Sequence, residues 1–249
     1  LVGFHDLNYG LQRSAFSRWT VGQALYGADR VIVACTYAKG LIAQAGYRIP
    51  DEAVHIIPLG VDMEIFMPND VKPTLNHLIH VASLVSVKDQ ATLLRAIARL
   101  EDVTLDIVGE GQEREKLTNL AAVLGISEKV NFVGNIPHLA MPPFYQRAVL
   151  HILTSRHEGL GMVTLEAAAC GIPTISTAVG IVPDYPELGV SLPVGDDAAL
   201  ATEIRYLLNQ PEHRETLGKS AFTLTQEKFS IQQTAQKFRQ VYEDLQAKR

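Results

Sequence analysis

The sequence predicts an α/β fold: a doubly wound, Rossmann-like parallel sheet preceded by a partial N-terminal α/β segment. Three observations carry that expectation. Short β-branched apolar runs recur along the chain, and segments with helical spacing of apolar residues separate them. Strands that alternate with helices of roughly 10–15 residues indicate βαβ units and a parallel sheet with both faces covered.

The elements follow in order. A helix is expected around residues 12–26, then a strand at 31–35, a helix around 37–45 and a strand at 53–57. Two strands are too few for a sheet of their own, so residues 1–57 read as the remnant of a first domain. Residues 58–77 contain Pro58, Gly60, Pro68, Asn69, Asp70 and Pro73, which break any periodicity and read as a hinge. Residues 78–229 form the main domain, with strands expected at 78–81, 103–108, 130–133, 149–153 and 173–176. Leu93, Leu94, Ile97 and Leu100 make one helical stripe. Leu117, Leu120, Ala121 and Leu124 make another, closed by Gly125 as a C-terminal cap. After Ser176, a Gly/Pro-rich loop leads into helices, and no further strong strand is expected. Residues 230–249 read as an amphipathic helix with Ile231, Ala235, Phe238, Val241, Tyr242 and Leu245 on one side. That stripe needs a partner, either the sheet domain or the leading segment.

Composition excludes several function classes. A net charge of -5 argues against a nucleic-acid binder, which usually shows a basic face. Cys35 and Cys170 have no CxxC partner, so they read as buried, reduced thiols rather than zinc ligands or a redox pair. No apolar run approaches the roughly 18–20 residues that span a bilayer. No signal peptide is visible, and a reducing, cytoplasmic compartment is expected. The chain opens on Leu1 rather than Met, which suggests a fragment of something longer.

Ligands of open parallel sheets bind at the carboxyl ends of the strands, where loops run into helix N-termini. Four such loops are informative. Residues 82–89 carry Lys88, a point charge suited to phosphate. The run Gly109-Glu110-Gly111 lets backbone approach a ligand, although a tight turn explains it equally well. Arg114 replaces the third glycine of a dinucleotide fingerprint, which is therefore unsupported. The strongest signal is the run from Glu158 to Gly171, in which a glycine loop opens a helix near Met162. Free amides there suit an anion or polar ligand. Glu158 precedes the helix and Glu166 lies about a turn inside it, placed to accept hydrogen bonds from hydroxyl groups at two ends of a ligand. The fourth loop, 177–184, is placed to close over the third.

Other chemistries fail. Gly218-Lys219-Ser220 ends like a P-loop, but His213 stands where its first glycine belongs. No G-x-S-x-G occurs. His77 and His80 flank a strand start and do not face one metal. Arg13, Arg18 and Trp19 suit a solvated helix face better than a membrane surface.

Taken together, the motifs resemble the donor half of a family 4 glycosyltransferase, a retaining enzyme of the GT-B fold. The resemblance runs from Ala28 to about Tyr242. Its parts are the run from Ala28 to Ala34, the run Ile57-Pro58-Leu59-Gly60-Val61-Asp62 followed by Phe66 and Pro68, and Ile107-Val108-Gly109-Glu110-Gly111. Then come Phe132-Val133-Gly134 with Tyr145, and an E-x7-E element, Glu158 to Glu166, continuing through Cys170-Gly171-Ile172-Pro173.

The resemblance implies two Rossmann-like domains facing across a cleft, with this chain on the nucleotide-sugar side. By position, Glu158 would contact the donor sugar and Glu166 the ribose hydroxyls. Backbone at Gly159, Leu160, Gly161, Met162 and Val163 would meet sugar and phosphate, and Lys88 the diphosphate, so Glu158 and Lys88 take the catalytic places. Gly109 would border the ligand, and the loop from Gly134 to His138 would lie near the base. Ser83 stands where the family often has Arg, as in a bacterial branch. The histidine and glycine-rich loop of the acceptor domain have no counterpart, and His5 sits in no matching motif. No metal and no cofactor beyond the nucleotide-sugar donor are implied. The implied partners are that donor and a sugar, glycan or lipid acceptor, with room for peripheral contact at the inner face of a membrane. Two other readings compete: a nucleotide-sugar-binding module without catalysis, and a nucleotide-sugar epimerase, which normally lacks the E-x7-E spacing.

Overall fold

The structure, a computed structural model, describes residues 15–247. The leading unit contains α1 (Ala15–Gly27), β1 (Val31–Val33), α2 (Thr36–Gln44) and β2 (Val54–Ile56). β1 and β2 pair in parallel, and Leu25, Val31, Val33, Cys35, Ala38 and Ile42 form their small core. The first strand stops at Val33, two residues earlier than its apolar run suggests, because Cys35 already serves as the residue before α2. Arg13, expected on the first helix, lies outside the described residues. Arg18 and Trp19 are on α1, where Trp19 is 59% exposed.

The main unit runs β3 (His77–Val81), α3 (Gln90–Ile97), β4 (Thr104–Val108), α4 (Arg114–Val123), β5 (Val130–Gly134), α5 (Pro142–Gln146) and β6 (Leu150–Leu153). It continues with α6 (Met162–Ala169), β7 (Thr174–Thr177), β8 (Gly189–Leu192), α7 (Asp197–Leu208), α8 (Pro211–Lys228) and α9 (Ile231–Gln246). The sheet has six parallel strands in the order β5-β4-β3-β6-β7-β8. It is covered on both faces. Leu78 of β3 joins a core with Leu93, Leu94 and Ile97 of α3 and Ile204 of α7. Its neighbour Ile79 points to the other core, with Leu165 of α6 and Leu224 of α8. Each fully buried Leu or Ile side chain contributes roughly 1.5–3 kcal/mol relative to exposure.

Helix ends follow local chemistry. Gly125 takes φ +69 just past α4, as expected of a C-terminal glycine. Pro211 opens α8, while Asp196 and Ser230 cap α7 and α9 through their side chains. The P-loop-like Gly218-Lys219-Ser220 lies inside α8. A Cβ at Gly218 would sit 2.2 Å from the Gly171 carbonyl, so close packing against the end of α6 accounts for that glycine.

One expectation is overturned. A strand does follow Ser176: β8 pairs with β7 from Gly189 to Leu192. It is short, partly exposed and on the sheet edge, and Gly189-Val190-Ser191-Leu192 carries a single β-branched residue, so no strong strand pattern marks it. Gly189 takes φ +149, and a Cβ there would lie 1.8 Å from the Thr174 carbonyl.

The stretch between β2 and β3 is anchored by its own apolar residues. Val61 and Phe66 are buried in the α6/α8 core, and the backbone of Val61 bonds to Phe229 and Ile231. α9 then returns to the leading unit, where Val241, Phe238 and Leu245 pack on Ile32 and Ile57. Ile231 and Tyr242 of the same expected stripe remain exposed.

Candidate active site

The strand order reverses between β3 and β6, since β4 and β5 lie to one side of β3 and β6 to β8 to the other. The loops after β3 and β6 therefore border the crevice that such a reversal opens.

The β3 loop is held by the β4 loop. Leu84 N–H donates to the Glu110 carbonyl at 2.9 Å, and Ala82 N–H to the Val108 carbonyl at 3.0 Å. The two backbones run so close that a Cβ at Gly109 would sit 2.0 Å from the Ala82 carbonyl, and one at Gly111 2.3 Å from that of Leu84. Chain packing thus requires both glycines. Gly134 takes φ +86, and its carbonyl accepts from Gly109 N–H. Ser83 is exposed, and its carbonyl accepts from the Gln90 amide side chain at 3.0 Å.

Lys88 ends a short turn, Ser86–Lys88, and its ammonium group forms an ion pair with Glu158 Oε1. Ser155 Oγ donates to the same oxygen at 2.7 Å. The pair is mostly buried, with 23% of the Lys88 side chain and 10% of the Glu158 side chain exposed. Removing either partner would leave a costly charge behind. Three residues beyond Glu158, Gly161 takes φ +85 as the residue before α6, where a glycine avoids the strain of left-handed backbone. Met162 and Val163, half-buried, supply the first amides of that helix, which have no intrahelical acceptors.

A second centre forms around Glu166. Tyr145 Oη donates to Glu166 Oε2 at 2.7 Å, and His138 Nε2 lies 3.1 Å from Oε1. Tyr145 is fully buried; burial, followed by the Glu166 charge, pushes its phenol well above the ordinary value. The exposed His138 ring lies against Phe66, their centroids 5.0 Å apart. The loops after β3, β5 and β6 thus each contribute a polar side chain at the carboxyl end of the sheet.

The fourth loop meets the third as expected. Ile181 N–H donates to the Leu160 carbonyl at 3.0 Å, and a Cβ at Gly180 would reach Glu158 Cβ at 3.0 Å. The leading unit also touches the third loop. Cys35 Sγ donates to the Gly159 carbonyl at 3.0 Å, and Tyr37 Oη is 2.7 Å from His157 Nδ1. Thr36 N–H donates to Asp184 at 2.8 Å. Burial pushes the Cys35 thiol up to about 11, which keeps it neutral.

Among the expected residues, the structure joins Lys88 to Glu158 directly and places Gly159 to Val163 beside them. It sets Glu166 in a separate cluster. The partners Ser155, Tyr145 and His138 were missed as contacts. Ser155 lies three residues before Glu158, just outside the stretch from Glu158 to Gly171, while Tyr145 lies 21 residues from Glu166 and meets it only through the fold. His77 and His80 are buried, paired with Thr104 and Asp106 in one case and with the Ile152 carbonyl in the other. Among the described residues no cluster of His, Cys, Asp or Glu has the makings of a metal site. A groove of about 640 Å³ lies elsewhere, between Pro68 and Phe222, and none of Lys88, Glu158 and Glu166 lines it.

Residues 62–223 match the family described as Glycosyl transferases group 1. The chain belongs to this family. Among its relatives, D-inositol 3-phosphate glycosyltransferase 1 of Catenulispora acidiphila is 34% identical over 78% of this chain and 52% of that protein. Sucrose-phosphate synthase from Thermosynechococcus elongatus superposes with a TM-score of 0.87 at 27% identity, over 96% of this chain and 63% of that one. Anabaena HepE, solved in complex with UDP and glucose, gives a TM-score of 0.85 at 20% identity, over 97% and 70% of the two chains. This group 1 chain thus spans little more than half the length of the curated relatives it matches. The family agrees with the GT-B resemblance of the sequence. No described helix of this group 1 chain is long and apolar enough to cross a membrane.

Proposed function

We propose that this chain forms the donor side of a retaining, metal-independent glycosyltransferase, which moves a sugar from a nucleoside-diphosphate sugar to an acceptor. One observation carries the reading: Lys88, Glu158 and the open N-terminus of α6 converge at the point where the strand order reverses. A departing diphosphate gains one negative charge as its bond to the anomeric carbon breaks, and that charge needs donors. Lys88 and the amides of Met162 and Val163 answer that demand without a metal ion. Glu158 binds a hydroxyl group of the sugar, since both its present contacts fall on Oε1. Glu166, steadied by Tyr145, accepts from the ribose hydroxyls. With the nucleotide and sugar held from one side, the acceptor hydroxyl attacks on the face that the diphosphate leaves and gives its proton to the departing phosphate oxygen, so the anomeric configuration is retained. The complex of HepE with UDP and glucose supports a nucleotide sugar as the ligand class.

Calorimetry of the chain with UDP, GDP and ADP tests the binding half. At least one is expected to bind with its affinity unchanged by EDTA. Failure of all three, or loss of binding in EDTA, overturns the reading. Incubation with the matching nucleotide sugar and a panel of acceptors tests transfer, and NMR of the product reads its configuration; an inverted product removes retention.

A further inference from the structure

Lys88 is followed by a residue whose backbone favours a different side chain. Asp89 takes φ +48 and ψ +44, the left-handed region, where glycine carries no strain. Its side chain is buried and does not cap α3, the helix that it precedes. Its carboxylate instead lies 3.0 Å from the Arg156 guanidinium, as an ion pair. Arg156 belongs to the β6 loop, two residues before Glu158.

The same two loops are joined twice more. Arg156 N–H donates to the Val87 carbonyl at 2.8 Å, and Thr154 Oγ1 donates to the Lys88 carbonyl at 3.0 Å. Lys88 is therefore fixed from the residue before it, at its own carbonyl, and from the residue after it. The electrostatics point the same way. Lys88 with Glu158 and Arg156 with Asp89 sum to zero, so Asp89 neither draws Lys88 away from Glu158 nor repels an anionic ligand while Arg156 holds it.

We propose that Asp89 and Arg156 are positioning residues that aim the Lys88 ammonium group at a diphosphate, and that the Asp89 carboxylate is what the left-handed backbone is strained to keep. The proposal rests on the donor-site reading above.

Asp89→Gly separates the alternatives, because it relieves the backbone and makes the site more positive. A charge effect alone would tighten diphosphate binding. Positioning predicts the opposite: about fivefold to tenfold weaker binding of UDP, GDP or ADP, with the parent nucleoside unaffected and the thermal midpoint at or above that of the unaltered chain. Asp89→Asn tolerates the same backbone and can still bond Arg156, and should restore most of the loss. Reductive methylation with ¹³C-formaldehyde supplies a readout that needs no ligand. The Lys88 resonance, assigned by its absence in Lys88→Arg, should shift in Asp89→Gly and in Arg156→Met. Equal or tighter diphosphate binding by Asp89→Gly, an equal loss for nucleoside, or an unmoved Lys88 resonance overturns the proposal. If the unaltered chain binds no nucleoside diphosphate, the donor-site reading fails instead, and the resonance alone decides whether the pair positions Lys88.

Discussion

Two buried carboxylates on this sheet meet cations, and they differ in how completely they are satisfied. Asp106 in β4 accepts from Asn131 at 2.9 Å, faces His77 Nε2 at 3.2 Å and pairs with Arg147, so both its oxygens are engaged. His77 and Thr104 begin their strands, which places this cluster toward the amino end of the sheet. At the carboxyl end, Glu158 takes both its contacts on one oxygen. Neither oxygen of Asp106 lacks a partner, whereas Glu158 keeps Oε2 for a ligand. Burial and charge are similar in the two places; the count of donors separates them.

The largest expected effect breaks the saturated side. Asp106→Ala leaves His77, Asn131 and Arg147 without their shared acceptor and should cost about 3 kcal/mol of stability. Denaturant titration measures it, and a loss under about 1 kcal/mol would put Asp106 on a par with a surface pair.

Substitutions at the open side are read in ligand binding. Glu166→Ala is expected to weaken nucleoside diphosphate binding by about 1.5–3 kcal/mol through lost charge-assisted hydrogen bonds. An unchanged dissociation constant by calorimetry removes Glu166 from the ribose site. Lys88→Ala should weaken diphosphates by a similar factor, about tenfold to a hundredfold, and leave nucleosides nearly unchanged. Equal losses for both ligands would remove Lys88 from the phosphate site.

The smallest effects concern pH. Burial holds His80 down to about 4 and His151 to about 3, from an ordinary value of 6.5. Between those values the unfolded chain binds more protons than the folded one, so stability falls as pH drops from about 6.5 toward 4. The slope approaches about 1.4 kcal/mol per pH unit for each histidine. His151→Asn should remove one histidine's share in urea titrations across that range; an unchanged slope would mean that His151 is not held neutral. For Asp106, burial would push the carboxyl up, but hydrogen bonds from His77 and Asn131 and the charge of Arg147 hold it below 3.8. Its contribution is present above that ordinary value and is lost as pH falls through the lower, folded one.

The sequence alone determined the alternation of strands and helices, because apolar spacing within ten residues reports which faces are buried. It also marked Lys88, Glu158 and Gly161, since a charge at the end of a strand loop and a glycine before a helix are local requirements. β8 escaped because a four-residue edge strand with only its first residue buried needs little apolar content. Only the tertiary structure decided the partners. Tyr145 reaches Glu166, and Arg156 reaches Asp89, across 21 and 67 intervening steps of chain that leave no mark in either local stretch. Those pairs exist because β6 crosses to the far side of β3, and a strand order is fixed by the packing of two whole faces rather than by any short run of residues.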